Sequence, residues 1–348
     1  MSRERLFDLD RAKGLGIFLV VLGHVVAREY PSDVSWYPIL KERIYLFHMP
    51  FFMFVAGAIA GYAWKPISTL QDYMIFVKRR AERLLPAYFI FALIVFVGKL
   101  VAQSLTPRVD NPVKSVWSFF DVIIMPYQSF SAYLWFIFVL FLLYAALPIL
   151  LWMARGRFLW LLVFAAVVQF LPATPYFGIA SFKEYLFVFL LGFVIMQETA
   201  PGVKFYDLFT QHLDKWWWVW VFVFVLGLVI TQKNMLGDIF HFGKFKDFQP
   251  YKIIFGLLSI PVLLGFVRSA IANRSQFLLT LGTYTFVIYL MNTMAIGTVK
   301  ALGLKFVAWD GVNFYFYAPI LLMAGLYLPI MIKKHFFRRV AYLDKITN

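Results

Sequence analysis

The stretch LVVLGHVVA, residues 19–27, is apolar except for His24 near its middle. Whether it belongs to the core of a soluble domain or to a bilayer-spanning helix decides the fold. Composition answers. Of 348 residues, 62% are hydrophobic and 20% aromatic, and only 15% are charged. A soluble domain is nearer half apolar and a quarter charged. Apolar runs of about 20 residues recur along the chain, the length a bilayer-spanning helix needs. The fold class is therefore all-α, a polytopic membrane protein of about ten transmembrane helices.

The ten expected spans are Lys13–Arg28, Ile44–Trp64, Leu84–Gln103, Tyr133–Met153, Phe158–Ala173, Glu184–Gln197, Trp216–Thr231, Ile253–Val267, Phe277–Val299 and Phe314–Ile332. Lys and Arg gather in the loops that share a side with the N-terminus, notably between Lys65 and Arg83 and after Lys333. That bias puts both termini in the cytoplasm. The loop around Lys244 and Lys246 runs against it, being basic on the outer side. The N-terminal MSRERLFDLDRAKG, with Glu4, Asp8 and Asp10 among its bases, leads into a retained first span rather than a cleaved leader. No stretch is long enough for a soluble domain, so one transmembrane domain is expected over 1–348. SVWSFFDVIIMP, residues 115–126, is expected as a re-entrant or surface helix. KWWWVW, residues 215–220, reads as an interfacial anchor, with a sugar-stacking platform as the alternative.

There is no cysteine, which excludes disulfides, thiolate metal sites and a cysteinyl acyl-enzyme. The net charge of +15 would suggest nucleic acid in a soluble protein. Here it follows from the cytoplasmic bias of Lys and Arg, and no nucleic-acid partner is expected.

An ionisable group in a span is costly and normally faces the bundle interior or a water-filled cavity. At about 100° per residue, Asp10, Lys13, Ile17 and His24 share one stripe of the first helix. Lys13 and His24 are roughly 16 Å apart along it. Asp10 is farther, so it cannot orient His24 as a triad acid would. His48 lies at similar depth on the next, antiparallel helix, just before Pro50, and the two histidines are placed to meet; an interfacial histidine before a proline kink is the plainer alternative. Arg80 and Arg83, three apart, share a face at the inner end of the third span. Their guanidinium forks and the helix N-terminus expected there suit a phosphate, or they simply anchor the helix among headgroups. A donor with a phosphorylated head and a long thin arm matches the layout, and coenzyme A is such a molecule.

Six stretches carry a resemblance to a known family: LDRAKGLGIFLVVLGH, FHMPFFMFVAGAIAGY, KRRAERLLPAY, LWFIFVLFLLY, EYLFVFLLGF and LGTYTFVIYLMNT. In this order the sequence resembles the acyltransferase-3 family of integral membrane acyltransferases, most closely its fucose-4-O-acetylase-like members. The resemblance implies transfer of an acyl group, commonly acetyl from acetyl-CoA and with no metal, onto glycans of the bacterial envelope at the inner membrane. It implies His24 as the catalytic histidine, as base or acyl carrier. It places Arg80 and Arg83 at a cytoplasmic CoA site with Asp10 and Lys13 nearby, and Trp135 and Phe136 at the substrate. His48 would orient His24 or stabilise the oxyanion. Many relatives have a histidine where this chain has Asn292, so a role for that histidine does not transfer. The acceptor would be a glycan or lipid-linked sugar, with membrane lipids around the protein and a second copy or glycan-assembly proteins as further partners. The rival class is a secondary transporter or flippase, for which no internal repeat is found. A noncatalytic assembly subunit explains the spans but not the clustered polar residues.

Overall fold

In a computed structural model, which describes residues 6–27, 29–105, 109, 111–200, 203–232 and 249–347, the apolar runs become helices. Among the described residues, eight are long and apolar enough to cross a bilayer. They are α2 (Trp36–Tyr62), α3 (Leu70–Leu105), α5 (Trp135–Ala154), α7 (Ile179–Ile195), α8 (Phe205–Gln232), α9 (Gln249–Arg268), α11 (Thr285–Gly303) and α12 (Gly311–His335). The other two expected spans are helices of a different kind. The first, α1 (Phe7–His24), has Asp8, Asp10, Arg11 and Lys13 in its opening turns. The fifth, α6 (Phe158–Val168), has 11 residues. At 1.5 Å per residue it is about 16 Å long, roughly half a hydrocarbon core. Three short helices, α4 (Asp121–Ile124), α10 (Gln276–Thr283) and α13 (Ala341–Ile346), and a small hairpin of β1 (Glu198–Ala200) with β2 (Val203–Lys204) complete the elements. The polytopic all-α architecture is as expected; the basic loop with Lys244 and Lys246 lies outside the described residues, as does Arg28.

Several boundaries differ from the expectation. Helix α1 begins before Lys13 and ends at His24, so the histidine closes the helix instead of lying a turn inside it. The ninth span is broken at Tyr284 into α10 and α11. Ser275 caps α10 by accepting from the Leu278 amide. Helix α3 starts at Leu70, well before the expected Leu84. Hydropathy marks where lipid would lie, while a helix continues for as long as its backbone bonds do.

The chain divides into two compact units. The first comprises Met1–Gly23, Ser35–Trp64 and Val188–Thr285; the second comprises His24–Val34, Lys65–Phe187 and Phe286–Asn348. In the first unit, two helix crossings are set by glycine. A Cβ on Gly14 would lie 1.9 Å from the Leu278 carbonyl oxygen, and one on Gly282 would lie 1.9 Å from that of Asp10. The α2–α7 crossing repeats the device: Gly57 faces the Phe189 carbonyl at 1.9 Å, and Gly192 faces that of Phe54 at 2.0 Å. Small residues let backbones touch where lipid gives helices no hydrophobic reason to associate. The charged ends of the same unit meet in an ion triad. Arg268 Nη1 donates to Asp8 at 2.7 Å, and its Nε and Nη2 fork onto Asp214 at 2.8 and 2.6 Å.

In the second unit, α3 packs along α5, with Tyr88 against Phe138 at 5.7 Å between ring centroids. The expected re-entrant stretch is a 3-10 turn, Val116–Phe120, leading into α4. Its buried Val122 offers a carbonyl to the Tyr88 hydroxyl at 2.5 Å. Lys99 Nζ, about 16 Å farther along α3, donates to the carbonyls of Asn111 and Phe130. The loop thus lies along α3, and side chains of that helix satisfy its carbonyls at Asn111, Val122 and Phe130.

At the far end of the chain, buried Lys333 donates to the Asp344 carbonyl and to Thr347 Oγ1, and pairs with the Asp344 carboxylate, each at 2.8 Å. These bonds tie α13 back onto α12. Lys333→Ala is expected to release the segment. Hydrogen exchange should rise over residues 341–347 while the melting temperature of the bundle stays near wild type. Unchanged protection there would mean that Lys333 is not what holds α13.

Candidate active site

Helix α1 ends at His24, and its last carbonyls need partners. Tyr37 donates to the Leu22 carbonyl at 2.7 Å and Tyr45 to that of Gly23 at 3.1 Å. Two tyrosines of α2 thus fix the end of the helix that carries the histidine. The His24 ring is half-buried. Its Nδ1 lies 2.8 Å from Oδ1 of Asn292, which is fully buried on α11. Asn292 is itself held: its Nδ2 donates to the carbonyls of Ile288 at 3.0 Å and Tyr289 at 2.8 Å.

Aromatic side chains pack against α11 and one another in the second unit. The Tyr289 ring lies 5.3 Å from that of Phe136, and the Tyr289 hydroxyl donates to the Tyr133 carbonyl. Tyr133 returns a bond to the Leu290 carbonyl at 3.0 Å. Trp135 stacks on Tyr185 at 5.4 Å and meets Tyr127 edge-on at 5.7 Å. Burial and the nearby Glu184 carboxylate both push the Tyr127 phenol up from its ordinary pKa. Phe136 thus packs on Tyr289, whose carbonyl holds Asn292, the partner of His24.

Arg80 belongs to the same unit but another level. Its guanidinium lies over the Tyr144 ring at 4.2 Å and the Phe76 ring at 5.3 Å. Arg83 is exposed one turn on. The helix N-terminus expected beside them is absent. With α3 starting at Leu70, Arg80 is about 15 Å inside the helix, beyond the first turn where the dipole acts. Only the guanidinium forks remain to meet a phosphate.

The other expected residues lie in the first unit. Lys13 Nζ pairs with Asp10 Oδ1 at 2.7 Å, three residues apart on α1. Buried His48 donates from Nδ1 to the Ile44 carbonyl at 2.8 Å, and its ring lies 4.9 Å from that of Tyr45. Trp216 and Trp218 of the KWWWVW stretch are exposed on α8, while Trp217 lines a groove. That groove, about 610 Å³, is bordered by Asp8, Arg11, Asp214 and Arg268. No sequence pattern singled out the ion triad, because its members come from three separate helices. Asn292 was visible only as a departure from relatives. The nearest thing to a signal was a polar residue inside an apolar span. Among the described residues, no group of three His, Asp or Glu side chains is placed to hold a metal.

Comparison with known proteins adds to this geometry. The chain is similar to Nodulation protein NolL of Mesorhizobium japonicum, with 28% identity over 202 residues, covering 56% of this chain and 49% of that protein. The chain thus spans about half the length of the curated relative it matches. No solved structure matches. A family model described as an acyltransferase domain matches residues 6–334. An apolar helical bundle with a half-buried histidine, matched almost end to end by that model, belongs to the acyltransferase-3 family of membrane acyltransferases.

Proposed function

We propose that the protein transfers an acetyl group from acetyl-CoA to a hydroxyl of a sugar in a cell-surface polysaccharide or a lipid-linked envelope glycan, in the inner membrane of a bacterium. One observation carries the reading. The half-buried imidazole of His24 closes a helix with Nδ1 bonded to buried Asn292, in the same unit as Arg80 and Arg83. Arg80 packs at the level of Tyr144, and Tyr289 packs at the level of Phe136. Those levels are about 12 Å apart along α5. A donor with phosphates at one and a thioester at the other must be long and thin, as acetyl-CoA is. Trp135 and Phe136 form the wall along which the sugar approaches. Family membership favours group transfer over the transporter reading.

Two routes use the same imidazole. In the first, His24 takes the proton of the sugar hydroxyl as the oxygen attacks the thioester carbonyl, and gives it to the departing CoA thiolate. In the second, the imidazole nitrogen attacks the carbonyl itself, releasing the thiolate. The sugar hydroxyl then attacks the acetyl carbon, the bond from that carbon to the ring nitrogen breaks, and the hydroxyl proton passes to the CoA thiolate, restoring neutral His24.

The test uses purified protein in nanodiscs, radiolabelled acetyl-CoA and a panel of octyl glycosides, reading acetyl ester against CoA released. The Arg80→Ala/Arg83→Ala protein is expected to bind acetyl-CoA about 100-fold more weakly, the loss of two charge-assisted contacts. Its turnover at saturating donor should stay near wild type. Equal donor affinity in the two proteins would remove the arginines from the donor site. Folded wild type that neither binds acetyl-CoA nor forms an ester would overturn the whole reading.

A further inference from the structure

Asn292 has two ways to point its carboxamide, and its surroundings permit one. Nδ2 donates to the carbonyls of Ile288 and Tyr289, three and four residues back on α11. Flipping the amide would set Oδ1 against both carbonyl oxygens, acceptor against acceptor, at a fully buried position. Oδ1 therefore faces His24 Nδ1, at 2.8 Å, and can only accept. The proton of neutral His24 is thereby assigned to Nδ1 and the lone pair to Nε2. The choice between the two ring nitrogens is made by the bond that one of them forms.

We propose that Asn292 is a positioning residue of the transfer reaction, holding His24 in its Nδ1–H tautomer so that Nε2 is the reacting nitrogen. This rests on the functional reading above and deepens it. In the base route, Nε2 takes the hydroxyl proton and later returns it to the thiolate, while Nδ1–H stays bonded to Asn292. In the covalent route, Nε2 forms the bond to the acetyl carbon. The carboxamide does the orienting work of a triad acid without its charge, and it cannot take the proton in either route. The residue lies 268 positions from His24 in sequence. It supplies what Asp10, on the histidine's own helix, is too far away to supply.

The experiment has an arm that does not depend on activity. The chain has five histidines, so histidine-selective ¹⁵N labelling, with His24→Ala to assign the signal, reads the tautomer directly. Wild type is expected to show Nδ1 protonated and Nε2 carrying the lone pair at His24. In Asn292→Ala the His24 signal should move to a mixture of tautomers. His48, bonded to its own Ile44 carbonyl, should not move and reports that the fold is intact. In the transfer assay, Asn292→Ala should lose about 10²–10⁴-fold in kcat, the scale seen when a catalytic histidine loses its orienting partner, with the KM for acetyl-CoA unchanged. Asn292→Asp, protonated at this fully buried position, donates its hydroxyl to one of the α11 carbonyls while its other oxygen accepts from Nδ1–H, and it should restore both the tautomer and most of the rate. A wild-type His24 protonated at Nε2 overturns the proposal without any variant. So does Asn292→Ala with wild-type kcat, or a loss confined to donor KM. An Asn292→Asp protein that regains the tautomer but not the rate overturns the positioning role. Absence of any acetyl transfer by wild type would instead defeat the functional reading, and the labelling arm would still decide the tautomer.

Discussion

His24→Ala is expected to fold, to bind acetyl-CoA as wild type does, and to transfer no measurable acetyl group, a loss of at least about 10³-fold. The expectation of normal folding comes from the structure. His24 is the last residue of α1, and the end of that helix is secured by Tyr37 and Tyr45 bonding to the carbonyls of Leu22 and Gly23, not by the imidazole. The substitution removes the hydrogen bond to Asn292, whose amide keeps its two carbonyl partners on α11. An unmade buried bond of this kind costs about 1–3 kcal/mol, which a large bundle survives. The chemistry has no comparable reserve, since both routes run through the imidazole. Donor binding by equilibrium dialysis and ester formation in the nanodisc assay check the two halves separately. Retained turnover would remove His24 from the mechanism. Loss of donor binding together with turnover would mean that the histidine helps to hold the thioester.

The second large effect concerns stability. Gly57→Val should prevent the α2–α7 crossing from closing. A Cβ there would lie 1.9 Å from the Phe189 carbonyl oxygen, and the obstacle is backbone, so no rotamer change relieves it. The reciprocal contact of Gly192 with the Phe54 carbonyl leaves no slack on the other helix. Overpacking a core ordinarily costs about 1–3 kcal/mol, and a backbone clash at a crossing belongs at or beyond the top of that range. The measurement is the yield of monodisperse protein and its melting temperature, with Gly98→Val as the control. Gly98 has nothing within 4 Å of its added Cβ, so that variant should behave as wild type apart from a small helix-propensity effect. Equal melting temperatures for the two variants would show that α2 and α7 can separate without loss.

Much of this protein is legible in one dimension because the bilayer is a one-dimensional constraint. Burial in hydrocarbon depends on a run of apolar residues, and such runs are read without knowing what packs against them. Each of the ten expected spans holds helix, the ninth in two pieces, and the two that stand apart from the eight are those whose sequences are short or charged. The family is legible for a related reason: its motifs lie within single helices, as in LDRAKGLGIFLVVLGH. Helix ends were less legible. Arg80 and Arg83 were expected at an N-terminus because the apolar run begins after them, yet Leu70–Arg83 is helical too. Polar residues continue a helix into the headgroup region without changing its hydrogen bonds, so hydropathy cannot mark where it starts.

The sequence by itself determined the class of solvent, the polytopic all-α architecture, the family, and that a histidine stands where a charge is costly. Tertiary structure decided what that histidine touches. Asn292, the partner of Nδ1, comes from a helix near the other end of the chain, and Arg268 likewise reaches Asp8 across 260 positions. Hydropathy is a property of each segment alone, whereas a hydrogen bond between segments depends on rotation, depth and crossing angle. Those are set where helices meet, at contacts such as Gly14 on Leu278 and Gly57 on Phe189, and no segment records them by itself.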